Sequence, residues 1–189
     1  MRHDRVAAVL LAAGAGARFG GGKLDAPLDG SPVGARSWAV LEGKAWLASG
    51  IVVPQAAPAF ANDSGAHLIV NPDAATGMAS SLHHAVGFAQ ERGADALLIA
   101  LADMPFVSAR TIAALIAHHD HIDPAAATAI RYPDGSAGAP ALFGRTCFDA
   151  LLQIDGDKGA GAYLARRPVI TLQIDAAELR DIDRPCDLI

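Results

Sequence analysis

The stretch Val6-Ala7-Ala8-Val9-Leu10-Leu11-Ala12-Ala13-Gly14-Ala15-Gly16-Ala17-Arg18-Phe19-Gly20-Gly21-Gly22-Lys23 decides the fold. Its first six residues are apolar without alternation, the pattern of a strand buried on both faces, and such strands belong to parallel sheets covered by helices. The glycines that follow let the backbone turn and let its amides approach a phosphate, with Arg18 and Lys23 adding positive charge. Two common phosphate-binding fingerprints fail. A Walker A loop ending at Lys23 requires glycine at position 17 and Ser or Thr at 24, where Ala17 and Leu24 stand. A dinucleotide fingerprint starting at Gly14 requires a small residue where Phe19 sits, and an acid after the second strand, where Val53 is followed by Pro54-Gln55. A glycine-rich turn with solvated charges is the plain alternative.

Outward from this stretch, short apolar runs alternate with helical spacings. Ala35, Trp38, Leu41 and Ala45 predict a helix from Val33 to about Leu47, and strands follow at Gly50–Val53 and His67–Val70. A helix over about Ser80 to Gln90 leads to Ala96–Leu101, the strongest strand, and Ser108 caps a helix reaching about His118. Ala125–Tyr132 and Ala141–Phe143 flank a turn at Pro133-Asp134-Gly135; helices over Thr146–Leu152 and Gly159–Arg166 precede a last strand at Val169–Ile174. The expected architecture is α/β, three-layered, with a mostly parallel twisted sheet and helices on both faces. Residues 1–189 read as a single domain, without internal repeat or linker.

Composition narrows the class. The chain has 189 residues, 52% hydrophobic and only 19% charged, which excludes disorder. Its longest apolar runs are too short to cross a bilayer, and no signal peptide precedes the first strand, so a cytoplasmic protein is expected. A net charge of -5 argues against nucleic acid as a partner, and two cysteines, Cys147 and Cys186, make neither a disulfide scaffold nor a four-ligand zinc site. His118, His119 and His121 read as polar residues at a helix C-terminus, His84 as a surface residue, and Trp38 and Trp46 as packing groups.

Asp103 stands at the end of the strongest strand. In open α/β sheets ligands gather beyond the carboxyl ends of strands, so Asp103 is expected beside the glycine-rich loop. There it suits an octahedral Mg²⁺ that also holds phosphates; capping the Ser108 helix is the other role open to it.

Several segments together resemble the MobA-like nucleotidyltransferases, and most closely the molybdenum cofactor cytidylyltransferases. They are the glycine-rich stretch, Asn71-Pro72-Asp73 with Gly77-Met78-Ala79-Ser80-Ser81-Leu82, and Leu101-Ala102-Asp103-Met104-Pro105. Phe143-Gly144-Arg145, Gly156-Asp157-Lys158-Gly159-Ala160 and Asp181-Ile182-Asp183-Arg184-Pro185 complete the set, which covers nearly the whole chain. The resemblance implies a Rossmann-like nucleotidyltransferase fold. It also implies a nucleoside triphosphate lying on Leu11, Ala12, Ala13, Gly14 and Gly16, with Asn71, Gly77, Ser80 and Ser81 adding to that site. Arg18 and Lys23 would neutralise its phosphates, Asp103 would bind Mg²⁺ with Asp183 as a second carboxylate, and Lys158 would contact the acceptor. For Ser80 and Ser81, helix capping is an equal alternative.

Relatives using CTP have Ala-Ala-Gly at the positions of Ala12-Ala13-Gly14, which favours a pyrimidine nucleotide. The implied reaction is attack by the terminal phosphate of molybdenum-bound molybdopterin on the α-phosphorus of CTP, releasing pyrophosphate. A transient contact with a recipient molybdoenzyme or its chaperone would follow. The chain departs from the family pattern at Asp25, at His83 where arginine is common, and at Ala139 where histidine is frequent. These departures keep two other readings open: transfer to a sugar phosphate or another phosphorylated acceptor, and a non-catalytic carrier of nucleotide or pterin.

Overall fold

A computed structural model describes residues 3–14, 16–122, 126–167 and 169–188. Among these described residues there are nine strands: β1 Val6–Leu11, β2 Pro27–Leu28, β3 Ser31–Pro32, β4 Ala48–Pro54, β5 His67–Asn71, β6 Ala96–Leu101, β7 Ala127–Arg131, β8 Ala137–Gly144 and β9 Ile170–Gln173. Six α-helices accompany them: α1 Val33–Ala39, α2 Ala59–Asp63, α3 Met78–Glu91, α4 Ala109–Ile122, α5 Phe148–Leu151 and α6 Gly161–Leu164.

Seven strands form one sheet in the order β5-β4-β1-β6-β8-β7-β9, and β2 and β3 make a separate two-residue hairpin. Within the seven-stranded sheet all pairings are parallel except those of β8, which runs against both β6 and β7. The chain steps from β1 to β4 and β5 on one side, then crosses to β6 on the other. That reversal beside β1 opens a crevice beyond the strand ends, where the loops after β1 and β6 diverge.

Side chains of β1 alternate between two cores. Val6, Ala8 and Leu10 pack with Trp38 of α1, Phe60 of α2 and Ile112 and Leu115 of α4. Ala7 and Val9 pack with Leu82 and Val86 of α3, Phe148 of α5 and Leu164 of α6. The sheet is thus covered on both faces, as expected for three layers. Each leucine buried this way contributes roughly 1.5–3 kcal/mol.

Several boundaries differ from the sequence expectation. The helix starting at Val33 stops at Ala39, not near Leu47. Gly43 takes a left-handed φ of 69°, and Leu41 reaches the core from a turn, so helical spacing of apolar residues continues beyond the helix itself. Here Trp46 donates from Nε1 to the Leu41 carbonyl at 2.7 Å. The helix capped by Ser108 runs on to Ile122, and His119 is fully buried, with Nδ1 3.1 Å from the Thr128 hydroxyl. It faces the sheet and does not end a helix in solvent. The side chain of His121 and all of Ala125 lie outside the described residues. Among the described residues, no helix is long and apolar enough to cross a membrane.

Candidate active site

Beyond β1, Gly20, Gly21 and Gly22 all adopt left-handed φ, a conformation that residues with a Cβ rarely hold, and they fold the chain back toward the sheet. This return brings in a one-turn 3₁₀ helix, Lys23–Asp25. Its first residue points at the end of β6: Lys23 Nζ donates to Asp103 Oδ2 at 2.7 Å and to Asp183 Oδ1 at 3.4 Å. Arg18 donates to the other Asp183 oxygen at 3.0 Å. Residues 160 positions apart therefore form one cluster of two cations and two carboxylates. The Asp103 carboxylate joins this cluster instead of capping α4.

Backbone bonds fix the segments that carry the two carboxylates. Ala102 donates its amide to the Leu11 carbonyl, and Ser37 of α1 donates to the Ala102 carbonyl at 2.9 Å. The Ile182 amide donates to the Asp103 carbonyl at 2.9 Å, with Ile182 fully buried, so the Asp183 segment is stitched to the end of β6. Asp187 then accepts from the amides of Arg184 and Asp183, and these bonds hold its carboxyl below the ordinary range.

Electrostatics follow the geometry. Burial works against a charged Lys23, but the hydrogen bond and charge of Asp103, with Asp183 behind it, outweigh burial and raise its pKa above 10.5. The pKa of Asp181 also rises, but in a carboxyl this disfavours charge: burial and then the charges of Asp183 and Asp103 push it up. Burial, with Asp181 and Asp103 nearby, pushes the Tyr132 phenol up to about 12. Asp181 stands in one of the family-like segments without an assigned role and Tyr132 in none, because nothing local in the sequence marks their approach to Asp103.

The cluster borders a cavity of about 390 Å³. One wall is Leu11, Ala12, Ala13 and Gly14 with Lys23 and Asp103; the opposite wall includes Ala74, Gly77, Met78, Ser81 and Asp157. Gly77 has a φ of 125°, and a Cβ there would strike the Gly156 carbonyl, so only glycine lets the two loops of that wall touch. The Gly156 carbonyl also accepts the Ala79 amide at 3.0 Å, satisfying a free donor in the first turn of α3.

Of the sequence-derived site residues, Leu11, Ala12, Ala13, Gly14, Lys23, Gly77, Ser81 and Asp103 line the cavity. Arg18 and Asp183 join the charged cluster, and Gly16 holds the turn below Lys23 with a left-handed φ. Asn71 is fully buried: its amide donates to Ser80 at 2.9 Å and Ser81 at 3.0 Å, and its carbonyl accepts the Asp73 amide. Ser80 lies 2.9 Å from the Gly77 carbonyl. Asn71 and Ser80 thus brace the loop without lining the cavity. Lys158 is exposed, and its neighbour Asp157 is the one on the cavity wall. His83 lies 2.9 Å from the Ile154 carbonyl, and Tyr132 donates to the Ala139 carbonyl at 2.8 Å.

Residues 8–171 match the MobA-like NTP transferase domain. The chain belongs to that family. A curated relative, the purine catabolism protein PucB of Bacillus subtilis (strain 168), is 31% identical over 98% of this chain and 95% of its own. The solved homologue of Mycobacterium tuberculosis Rv0371c from Mycobacterium sp. strain JC1 is 26% identical, with a TM-score of 0.78 over 99% of this chain and 94% of that one. Rv0371c of M. tuberculosis H37Rv, solved in complex with manganese, is likewise 26% identical, with a TM-score of 0.69 over 90% and 89% of the two chains. The chain is therefore a member of a nucleotidyltransferase family with a Rossmann-like fold.

Proposed function

We propose that this protein is a cytidylyltransferase that moves CMP from CTP to the terminal phosphate of molybdenum-bound molybdopterin and releases pyrophosphate. The observation that carries the reading is the balanced cluster of Arg18, Lys23, Asp103 and Asp183 at the edge of a cavity floored by Leu11–Gly14. A triphosphate entering that cavity draws the two cations toward its oxygens, because charge-assisted contacts to phosphate are strong. Asp103 and Asp183 are then left facing each other and require a hard cation. Among the described residues no group of three or more metal-ligating side chains is gathered. Two carboxylates still fit Mg²⁺, which takes oxygen donors and commonly completes its shell with substrate phosphates and water. The manganese in the mycobacterial relative supports a divalent cation here.

Bound Mg²⁺ would supply neutralisation of charge on the transferring phosphoryl group. The protein's own part is alignment. Lys23 and Arg18 hold the phosphates, the Leu11–Gly14 backbone seats the nucleoside, and the two loops that meet at Gly77 and Gly156 close the far wall. An acceptor phosphate oxygen bonds to the α-phosphorus while the bond from that phosphorus to the bridging oxygen of pyrophosphate breaks. A phosphate monoester is already anionic near neutral pH, so no general base is needed, and positioning with charge neutralisation suffices. Lys158, exposed on the loop behind Asp157, is the residue we assign to the acceptor.

Ala13 supports the choice of base, since its side chain occupies the cavity wall where guanylyl-transferring relatives usually have glycine. One methyl group is worth about 1–3 kcal/mol, so the expected preference for CTP over GTP is roughly tenfold to a few hundredfold. The test is pyrophosphate release with Mg²⁺, molybdenum-loaded molybdopterin and either nucleotide. Equal use of GTP defeats the cytidylyl assignment. Activity only on a sugar phosphate replaces the acceptor, and tight binding without pyrophosphate release makes the protein a carrier.

A further inference from the structure

Asp25 ends the one-turn helix that begins with Lys23, and both of its carboxylate oxygens are committed to backbone. Oδ2 accepts the Ala59 amide at 3.0 Å and Oδ1 accepts the Phe60 amide at 2.8 Å. These are the first two amides of α2, donors that a short helix cannot satisfy internally. The residue before them, Pro58, offers no side-chain acceptor. α2 thus takes its cap from a segment 34 and 35 positions earlier in the chain. Two adjacent donors on two oxygens of one carboxylate fix its orientation as well as its position.

That cap is one end of a short mechanical chain. Phe60 is buried against α1 at Gly34, where any Cβ would collide with the ring, so α2 is seated closely on α1. From the same helix Ser37 donates to the Ala102 carbonyl, next to Asp103. Both partners of the Lys23–Asp103 ion pair are therefore referred to α1: Asp103 through Ser37, and Lys23 through Asp25, α2 and Gly34. On its other side Lys23 follows three left-handed glycines, which carry no side chain to anchor them.

We infer that Asp25 is a positioning residue for Lys23, holding its ammonium where it meets the triphosphate. The inference rests on the proposed role of Lys23 in nucleotide binding. It gives Asp25, a departure from the family pattern, a task particular to this chain.

A double-mutant cycle tests it. CTP affinity is measured by calorimetry with Mg²⁺ and no acceptor, and KM and kcat by pyrophosphate release, for wild type, Asp25→Ala, Lys23→Ala and the double variant. Asp25→Ala is expected to weaken CTP binding and raise the KM for CTP by about tenfold with a smaller change in kcat, since misplacing a binding group by about an ångström is costly. In the Lys23→Ala background the same substitution should change CTP affinity less than about twofold, because coupled residues are not additive. Asp25→Asn, which keeps one of the two acceptor oxygens, should show a partial loss of about threefold in CTP affinity that vanishes in the Lys23→Ala background, and it carries the test if Asp25→Ala fails to fold. Equal losses in both backgrounds overturn the inference and leave Asp25 a structural cap. Unchanged CTP binding in Lys23→Ala overturns the role of Lys23 itself, and this inference with it.

Discussion

On the cavity wall built from the ends of β1 and β6, charged side chains turn toward one another across open space, and backbone bonds hold them there. On the opposite wall, at the start of α3, polar side chains turn into the protein: Asn71 grips Ser80 and Ser81, and Ser80 reaches back to Gly77. The first wall keeps its charged groups available to a ligand. The second uses polar groups to keep its shape. Chemistry and architecture are thus divided between two sides of one cavity, and substitutions on the two sides should fail differently.

The largest expected effect is on the charged wall. Asp103→Asn removes a charge without changing size, and on the proposed metal-holding role of Asp103 the lost stabilisation, worth several kcal/mol, should lower kcat by about a thousandfold or more. The melting temperature should stay within about 2 °C, because the Asp103 backbone bonds are untouched. Near-normal turnover in this variant would break the division. On the braced wall, Gly77→Ala should act in reverse. A side chain forced onto the Gly156 carbonyl at positive φ should cost about 2–3 kcal/mol, or roughly 5–10 °C in melting temperature, by differential scanning fluorimetry. A smaller loss is expected for Asn71→Ala, about 1–3 kcal/mol from buried groups left unpaired, exceeding any effect on kcat of the folded enzyme.

The smallest effect concerns the tether of the Asp183 segment. Glu178 accepts the Ser108 amide at 2.7 Å and the Thr111 hydroxyl at 2.6 Å. Burial opposes its ionisation, yet these two donors outweigh burial and hold its carboxyl below the ordinary 4.5. Its stabilisation is therefore fully present above pH 4.5 and is lost as pH falls through the lowered value. Because the group is only partly buried, Glu178→Gln should cost only about 1 kcal/mol at pH 7, or roughly 2–4 °C, with the gap to wild type closing in acid. A gap that persists after pH has fallen below that lowered value would assign the loss to packing.

What the sequence discloses here is local. The unbroken apolar run of β1, the glycines after it and the acid ending β6 are each legible within a few residues, and strand order then brings their ends together. The hairpin around Pro133-Asp134-Gly135 is equally legible, but its slot is not: β8 enters the sheet between β6 and β7 because its apolar face fits there. Helical spacing ran past the true end of α1, since a turn at Gly43 presents Leu41 to the core as a helix would. The burial of His119 and the cap from Asp25 to α2 depend on contacts made only after the layers close. Asp183 was reachable through resemblance, yet no spacing in the chain announces that it meets Lys23.

The span between Lys23 and Asp183 also sets an order of arrival on the ribosome. A nascent chain that has emerged two residues past β6 already holds Lys23 and Asp103, together with the glycines and both central strands. It lacks the second carboxylate, which comes only after β7, β8 and β9 have been made. Until then Arg18 has no partner in the cluster, and the Asp103 carbonyl just beyond β6 lacks the Ile182 amide. Ligand selectivity in such a chain should mature late, with the sheet's far edge.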